Sequence, residues 1–352
     1  MKFREYLYGL VTGKIKGPLG VFLRGCLFVL SLVYGLVVVI LAGFYRIRPA
    51  RFSAKVISVG NITLGGTGKT TLVEYLSAKL CSAGNKIAVL SRGYKRDSKR
   101  PGAQGLGDEP AMLAKKLPLA RVVVNKNRIK AAQTAIRDYT SDILILDDGL
   151  QQWKIFKDLE IVTIDAQNPF GNYRMLPAGF LREPLSALKR ADIFVLTQSR
   201  SGQDTSGLTD KLKRLNSRAL IVESRHEPQG VSWLDQADEL LNLEFLKGKT
   251  VAIFSGIGNP DGFRNCICGL GIKVGKFFRF PDHHDYTQAD ILRIVREVKE
   301  NNLDAIITTQ KDAVKVRELG IKGLAILVLE IKLSITKNEA EFNRRLLKLY
   351  SF

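Results

Sequence analysis

The sequence VISVGNITLGGTGKTT at residues 56–71 decides the fold, because it joins a β-branched run to a glycine-rich loop. The helical pattern LVEYLSAKL follows directly. In a strand–loop–helix unit of this kind, glycines let backbone N–H groups turn toward phosphates, and the helix N-terminus adds a favourable dipole. The strict G-x-x-x-x-G-K-[ST] pattern is not met, since Thr63 occupies the first glycine position. The segment predicts a phosphate-binding loop rather than a glycine turn that only closes a βα unit.

Two side chains of this loop have expected roles toward a nucleotide. The Lys69 ammonium would reach the β- and γ-phosphate oxygens, and the Thr70 hydroxyl would bind Mg²⁺. The residues expected to contact the nucleotide are Gly65, Gly66, Thr67, Gly68, Lys69, Thr70 and Thr71.

A second strand end supplies carboxylates. The apolar run ILIL at residues 143–146 is followed by Asp147 and Asp148. Successive strand residues point to opposite faces, so the two carboxylates are expected to have different roles, one toward the metal and one toward the substrate. We expect Asp147 to join Thr70 as a magnesium ligand. The alternative is that the pair only caps the strand.

Short β-branched runs alternate with helical patterns along the rest of the chain, which is typical of parallel strands in βα units. The runs are IAVL (87–90), VVV (122–124), ILIL (143–146), IVTI (161–164), IFVL (193–196), LIV (220–222), VAIF (251–254), AII (305–307) and AILVL (325–329). A polar break at residues 224–238 marks a boundary near residue 225. We therefore predict an α/β fold: a P-loop NTPase-like parallel sheet with helices on both faces over residues 51–225. A smaller α/β domain over residues 226–352 is expected to close over the nucleotide site.

The N-terminal segment, residues 1–50, has a different character. Residues 25–45 carry no charge, and a helix of that length is about 30 Å long, enough to cross a bilayer. Nine basic residues and one acidic residue precede residue 56, so this stretch carries +8 of the net charge of +20. The sequence Tyr45-Arg46-Ile47-Arg48-Pro49 replaces the small-residue cleavage site of a signal peptide. We expect a retained membrane-anchoring helix that either spans the bilayer or lies in its interface; a buried core helix is the alternative.

Composition limits the class of protein. A chain of 352 residues with 45% hydrophobic and 25% charged residues is long enough for two folded domains. Four cysteines cannot form a dense disulfide framework, and the pair Cys266 and Cys268 lacks the further ligands of a zinc site. The basic excess brackets an apolar helix rather than a nucleic-acid-binding module, so we expect an anionic membrane surface and no nucleic acid as partner.

Several loops remain ambiguous from the residues alone. The sequence Gly107-Asp108-Glu109-Pro110 before a helical pattern reads as an ordinary N-cap with an acidic first turn. His283 is flanked by carboxylates in FPDHHDY at residues 280–286, which suits either proton transfer or a solvated loop.

Taken in order, seven motifs resemble the tetraacyldisaccharide 4′-kinases of lipid A biosynthesis. They are GGTGKTT (65–71), SRGYKR (91–96), GDEP (107–110), LDDGLQQ (146–152), MLPAGFLREP (175–184), FPDHHDY (280–286) and TTQKDAVK (308–315). The N-terminal apolar helix also resembles that family's membrane anchor. Two positions depart from the family's usual residues: Gln152 stands in place of His, and Gln310 in place of Glu.

The resemblance implies an ATP- and Mg²⁺-dependent lipid kinase at the cytoplasmic face of the inner membrane. Its reaction transfers the γ-phosphoryl group to the 4′-hydroxyl of a tetraacylated glucosamine disaccharide 1-phosphate, giving lipid IVA. Asp108 would take the hydroxyl proton, with His283 as its partner. The expected catalytic residues are Asp108, His283, Lys69, Asp148 and Arg182; the substrate-binding residues are Tyr94, Glu109, Arg128, Gln151 and Glu183; the metal ligands are Thr70 and Asp147.

A membrane-attached switch ATPase or GTPase acting on a protein partner is the alternative. Switch ATPases with a paired-glycine loop usually carry a lysine just before the glycines, where this chain has Leu64. A GTPase would show N/T-K-x-D, but Lys311 and Asp312 are adjacent here. Both features favour the lipid kinase, for which we expect no obligate protein partner.

Overall fold

The structure is a computed structural model that describes residues 3–93, 108–198, 203–321, 323 and 325–349. The helices are α1 (Phe3–Val11), α2 (Pro18–Ile47), α3 (Lys69–Ser82), α4 (Asp108–Lys116), α5 (Arg128–Tyr139), α6 (Ser206–Leu215), α7 (Pro260–Gly269), α8 (Gln288–Glu300), α9 (Gln310–Glu318) and α10 (Glu339–Leu347). The strands are β1 (Lys55–Gly60), β2 (Ile87–Ser91), β3 (Arg121–Val124), β4 (Ile143–Asp147), β5 (Leu159–Asp165), β6 (Ile193–Thr197), β7 (Leu220–Trp233), β8 (Gln236–Leu241), β9 (Thr250–Ser255), β10 (Lys273–Arg279), β11 (Ala305–Thr309) and β12 (Ile326–Lys337). Within the described residues, 3₁₀ helices cover Leu185–Arg190 and Leu243–Leu246.

The chain forms two compact units that are not continuous in sequence. The first unit comprises Met1–Arg92, Leu119–Arg225 and Ile335–Phe352, and the second comprises Gly93–Pro118 and His226–Ser334. Strands β7 and β12 each contribute residues to both units. The start of α4 therefore belongs to the same unit as His283. Asp108 and His283 lie in one compact unit although 175 residues of chain separate them. The three-part division into residues 1–50, 51–225 and 226–352 stays a prediction.

The first unit contains a parallel sheet in the order β3-β2-β4-β1-β5-β6, with the start of β7 next to β6. Alternate residues face opposite sides: Val56 and Leu144 pack on the alanine-rich face of α5. Ile57 and Ile145, one residue further along, are fully buried on the other side, and α3 packs against β1, β2 and β4. The predicted parallel sheet with helices on both faces is confirmed.

The second unit contains the parallel strands β10-β9-β11-β12 and the antiparallel pair formed by β8 and the end of β7. The polar stretch at residues 224–238 does not interrupt the sheet, because β7 continues to Trp233 and then turns into β8. Val231 is fully buried against Ile253 and Leu327, and Trp233 packs on the same cluster. Val231 and Trp233 are separated by the small polar Ser232, and residues 224–230 carry no large apolar side chain, so a search for continuous apolar runs misses this part of the strand.

The N-terminal segment forms α1 and the 30-residue α2, which belong to the first unit. Helix α2 is long and apolar enough to cross a membrane. One stripe of it, Ser31, Val38 and Ala42, is buried, whereas Phe22, Leu36 and Phe44 are more than 60% exposed. A helix with one buried stripe and a large exposed apolar surface differs from the buried core helix that was the alternative.

Candidate active site

The phosphate loop connects β1 to α3 in the expected order. Gly65 and Gly68 adopt φ values of 116° and 74°, a backbone region that residues other than glycine rarely adopt. Helix α3 begins at Lys69, so its first backbone N–H groups, which lack intrahelical partners, lie in the loop. The loop provides the backbone that a polyphosphate requires.

Buried threonines from two neighbouring strands support this loop. The Thr67 hydroxyl lies 2.7 Å from the Thr163 hydroxyl of β5, and the Thr197 hydroxyl of β6 donates to the Thr67 carbonyl at 3.0 Å. Gln198 Nε2 donates to the Gly66 carbonyl at 2.9 Å. Because these donors occupy two successive loop carbonyls, the loop presents N–H groups rather than carbonyl oxygens to an anion.

The substitution Thr197→Val is expected to weaken ATP binding about fivefold, because loss of one buried hydrogen bond of about 1 kcal/mol frees the Thr67 carbonyl to rotate. Titration calorimetry with a non-hydrolysable ATP analogue measures this. Thr308→Val, which removes a similarly buried hydroxyl bond to the Phe254 carbonyl in the second unit, is the matched control and should leave ATP affinity unchanged. Equal affinities for the Thr197 variant and the native chain would contradict the supporting role.

A chain of polar contacts connects the phosphate loop to the end of β4. Lys69 Nζ donates to Asn61 Oδ1 at 3.0 Å and lies 3.5 Å from Asp148 Oδ1. Arg182 Nη1 donates to both carboxylate oxygens of Asp148, at 3.0 and 2.8 Å. Asp148 is therefore held between two cations in the first unit, beside the lysine that would bind the nucleotide phosphates.

Asp148 has two features of a functional residue. Its φ of 57° places a non-glycine residue in the left-handed region, a conformation that costs about 1 kcal/mol or more and is frequent at active sites. Burial raises its pKa, but Lys69 and Arg182 outweigh that effect and hold the pKa below its ordinary value. Asp148 is ionised at neutral pH.

Gln151 and Glu183 extend this network into the protein. Gln151 Nε2 donates to Glu183 Oε1 at 3.0 Å and to the Asn61 carbonyl at 3.3 Å. Glu183 is only 1% exposed and is paired with Arg190 at 2.9 Å. A buried, paired carboxylate of this kind fixes its neighbours in place, so Gln151 and Arg182 have a rigid support.

The oxygen atoms at the end of β4 suit a magnesium ion. Asp147 is 5% exposed, and Ser91 Oγ lies within 3.4 Å of its carboxylate. Thr70 is the second residue of α3. Carboxylate and hydroxyl oxygens are hard ligands, and Mg²⁺ typically takes one or two of them together with phosphate oxygens and water. Across the residues that the structure describes, no cluster of three or more His, Cys, Asp or Glu side chains forms a separate metal site.

Arg128, predicted to contact substrate or phosphate, is 3% exposed. Its guanidinium donates to the Asn125 carbonyl at 2.7 Å and to the Asp147 carbonyl at 3.4 Å. Burial lowers its pKa to about 10, so it remains charged at neutral pH. In this structure Arg128 braces the backbone of the strand end that carries Asp147.

Of the remaining predicted residues, His283, Asp108 and Glu109 belong to the second unit. His283 lies in the loop after β10 with a φ of 59°, and its Nε2 lies 3.2 Å from Lys311 Nζ. Asp108 and Glu109 begin α4, but their side chains lie outside the described residues, as does all of Tyr94.

Five of the residues predicted from the sequence form one contact network in the first unit: Lys69, Asp148, Arg182, Gln151 and Glu183. Sequence reasoning missed several residues that support them: Asn61, Thr163, Arg190, Thr197, Gln198 and, in the second unit, Lys311. Asn61, Thr197, Gln198 and Lys311 lie at or just after strand ends, which is a usable signal because the carboxyl ends of parallel strands line the ligand crevice. Thr163 lies within β5, and Arg190 lies at the end of a 3₁₀ helix. Their specific partners could not be read from the sequence.

Known proteins match the chain over nearly its whole length. The family LpxK, tetraacyldisaccharide-1-P 4'-kinase, matches residues 23–351. The tetraacyldisaccharide 4'-kinase of Halothermothrix orenii is 36% identical over 97% of both chains, and that of Elusimicrobium minutum is 37% identical over 92% of this chain and 90% of its own. A crystal structure of LpxK from Aquifex aeolicus in complex with ATP is 29% identical, covers 94% of this chain and 100% of its own, and superposes with a TM-score of 0.73. The ordered motifs, the phosphate loop with its strand-end carboxylates and these similarities together show that the chain belongs to the LpxK family of tetraacyldisaccharide 4'-kinases.

Proposed function

We propose that this protein transfers the γ-phosphoryl group of ATP to the 4′-hydroxyl of a tetraacylated glucosamine disaccharide 1-phosphate, the step that gives lipid IVA. The observation that carries the proposal is the constellation of Lys69, Asp148 and Arg182 beside a phosphate loop, in a chain that belongs to the LpxK family.

Phosphoryl transfer requires positioning and charge neutralisation more than covalent chemistry by the protein. The loop N–H groups and Lys69 hold the β- and γ-phosphate oxygens. Thr70 and Asp147 are the residues that would hold Mg²⁺, which supplies further charge neutralisation. Arg182, fixed by its two bonds to Asp148, supports the negative charge that spreads over the transferred group.

The acceptor hydroxyl must lose a proton as its oxygen bonds to phosphorus and the bond from phosphorus to the β–γ bridging oxygen breaks. We assign the general base to Asp108, with His283 as its partner in the same unit. Tyr94, Glu109 and Gln151 are proposed to contact the substrate. Glu183, which is buried, is proposed to hold Gln151 in place, and Arg128 to brace Asp147. General base catalysis contributes about 10²- to 10⁴-fold to such a reaction.

A direct assay tests the proposal. Detergent-solubilised protein is incubated with Mg²⁺, γ-labelled ATP and an acylated glucosamine disaccharide 1-phosphate, and labelled lipid is separated by thin-layer chromatography. Label in the lipid supports the kinase. Release of free phosphate without labelled lipid would instead indicate a switch ATPase or GTPase. The sequence does not favour that class, because Leu64 replaces the lysine of switch ATPases and Lys311 and Asp312 are adjacent, unlike in the GTPase motif.

The protein acts on a lipid, and we propose that α2 holds it in the cytoplasmic leaflet of the inner membrane without crossing the bilayer. The buried stripe of Ser31, Val38 and Ala42 lies on the first unit, and the Tyr34 hydroxyl donates to the Arg182 carbonyl at 3.1 Å. The stretch from Ser31 to Ala42 is about 17 Å long. A helix docked along that length on a folded unit cannot pass through the hydrocarbon core while the unit stays in water.

The exposed surface of α2 suits a membrane interface. Its apolar residues face away from the first unit, and basic residues lie near both ends of the helix. Basic residues near an anionic surface contribute about 1 kcal/mol each. This arrangement brings the phosphate loop to the lipid headgroups, where the 1-phosphate of the substrate also lies.

Single cysteines at Lys16 and Arg48, the exposed positions just outside α2, distinguish the two membrane arrangements. In a chain whose four native cysteines are replaced by serine, an impermeant maleimide should label both positions in inverted inner-membrane vesicles and neither in intact spheroplasts. Labelling of the two positions from opposite sides would show a spanning helix and contradict the interfacial arrangement.

A further inference from the structure

The loop after β10, Phe280–Tyr286, holds His283 in a specific backbone conformation. His283 adopts a φ of 59°, which is uncommon for a non-glycine residue, and its N–H donates to the Gly256 carbonyl at 3.0 Å. The fully buried Asp312 accepts from the Gly256 N–H at 3.1 Å and from the Tyr286 hydroxyl at 3.0 Å. The second unit therefore fixes this loop at both ends, and the imidazole of His283 has a defined place.

The surroundings of His283 Nε2 decide which ring nitrogen carries the proton. Lys311 Nζ lies 3.2 Å from Nε2, within hydrogen-bond distance, whereas the nearer carboxylate oxygen of Asp282 is 4.0 Å away. A lysine ammonium has three donors and no acceptor. Nε2 is therefore the acceptor of the Lys311 bond, and the proton of the neutral imidazole lies on Nδ1.

Lys311 is itself held in position. It is the second residue of α9, whose start is capped by the Thr309 side chain, which accepts from the Asp312 N–H. Its ammonium also contacts Asp282 Oδ1 at 3.4 Å, and its side chain is 19% exposed. Two partners on one loop, Asp282 and His283, fix the direction of a side chain that would otherwise be flexible.

We propose that Lys311 is a positioning residue that holds His283 in the Nδ1–H tautomer. Helix α9, which carries Lys311, packs against α4, whose first residue is Asp108. In this tautomer His283 offers a donor at Nδ1, the form of imidazole that can hydrogen-bond a carboxylate base and orient it. The kinetic part of this inference rests on the proposed kinase function; the tautomer does not.

The tautomer can be measured directly, because the chain contains three histidines. Protein labelled with ¹⁵N-histidine in detergent gives long-range proton–nitrogen correlations that distinguish Nδ1–H from Nε2–H, and His283→Gln assigns the signal. We expect His283 to be Nδ1–H in the native chain and in Lys311→Arg, which keeps a donor, and to shift toward Nε2–H in Lys311→Met. An Nε2–H signal in the native chain, or an unchanged tautomer in Lys311→Met, would overturn the proposal.

Kinetics test the consequence for catalysis. Lys311→Met should lower kcat about tenfold with the KM for ATP within twofold, and Lys311→Arg should recover most of the rate. Lys299→Met, an equal loss of charge at an exposed position of α8 in the same unit, is the control and should be neutral. If the His283 tautomer shifts in Lys311→Met but neither the native chain nor any variant labels the lipid, only the kinase function is contradicted. If the tautomer shifts and the kcat of Lys311→Met equals that of the native chain, the positioning role is overturned.

Discussion

Lys69→Met is expected to lower phosphoryl transfer to the lipid about 10³-fold, the largest effect on activity that the structure predicts. The Lys69 side chain is 14% exposed and is directed by Asn61 and Asp148. Methionine keeps most of the side-chain volume but removes the charge. The β- and γ-phosphate oxygens then lose a cation in a partly desolvated site, where its stabilisation of the transition state is strongest.

Transfer of label from γ-labelled ATP to the lipid, separated by thin-layer chromatography, measures this loss, and a control for correct folding accompanies it. Lys86→Met removes an equal charge from an exposed position just before β2 and should retain full activity. Circular dichroism should show that both variants remain folded. A Lys69→Met protein within tenfold of the native rate would remove this residue from the proposed mechanism.

Lys157→Met is expected to cost about 3 kcal/mol of unfolding free energy, the largest effect on stability. Lys157 and Glu160 form an ion pair at 2.8 Å with side chains only 9% and 7% exposed. Lys157 Nζ also donates to the Leu150 carbonyl at 3.2 Å. Removing the lysine leaves the buried Glu160 carboxylate without its main counter-charge. The unfolding transition of the first unit in chemical denaturant measures the loss of stability.

The effect should depend on pH in a defined direction. Burial raises the pKa of Glu160 above its ordinary value of 4.5, although Lys157 opposes that shift. Without Lys157, the pKa of Glu160 in the folded protein rises further above its value in the unfolded chain. The variant is therefore least destabilised at a pH below the unfolded-chain pKa of Glu160, and it loses stability as the pH rises through the folded-state pKa of Glu160.

A double variant and a surface pair complete this experiment. Lys157→Met combined with Glu160→Gln should recover part of the loss, since neither residue of this pair then carries a buried charge. Arg137→Met breaks an exposed pair with Asp138 and should leave the denaturation midpoint unchanged. A Lys157→Met protein as stable as the native chain would show that water or another cation reaches Glu160.

Much of the fold was accessible from local patterns. The runs at residues 56–59, 87–90, 143–146, 161–164 and 193–196 all lie in strands of the first unit. They could be predicted because strands buried on both faces are continuously apolar. The antiparallel hairpin of β7 and β8 was missed because its apolar side chains, such as Val231 and Trp233, do not form a continuous apolar run.

The grouping of chain segments was not accessible in the same way. A single boundary near residue 225 could not show that Gly93–Pro118 joins the second unit or that Ile335–Phe352 joins the first. Such groupings depend on contacts between segments far apart in sequence, and no local pattern encodes them.

The sequence by itself determined the chemistry: a phosphate loop with Lys69 and Thr70, carboxylates at the end of β4, and an apolar N-terminal helix. These features follow from residue types at short spacing, which local backbone geometry makes readable. Only the tertiary structure decided which side chains control that chemistry. Thr197 reaches the loop across 130 residues of chain, and Lys311 reaches His283 across 28. Hydrogen bonds of this kind depend on where the packed sheet brings each side chain, and packing is a property of the whole fold.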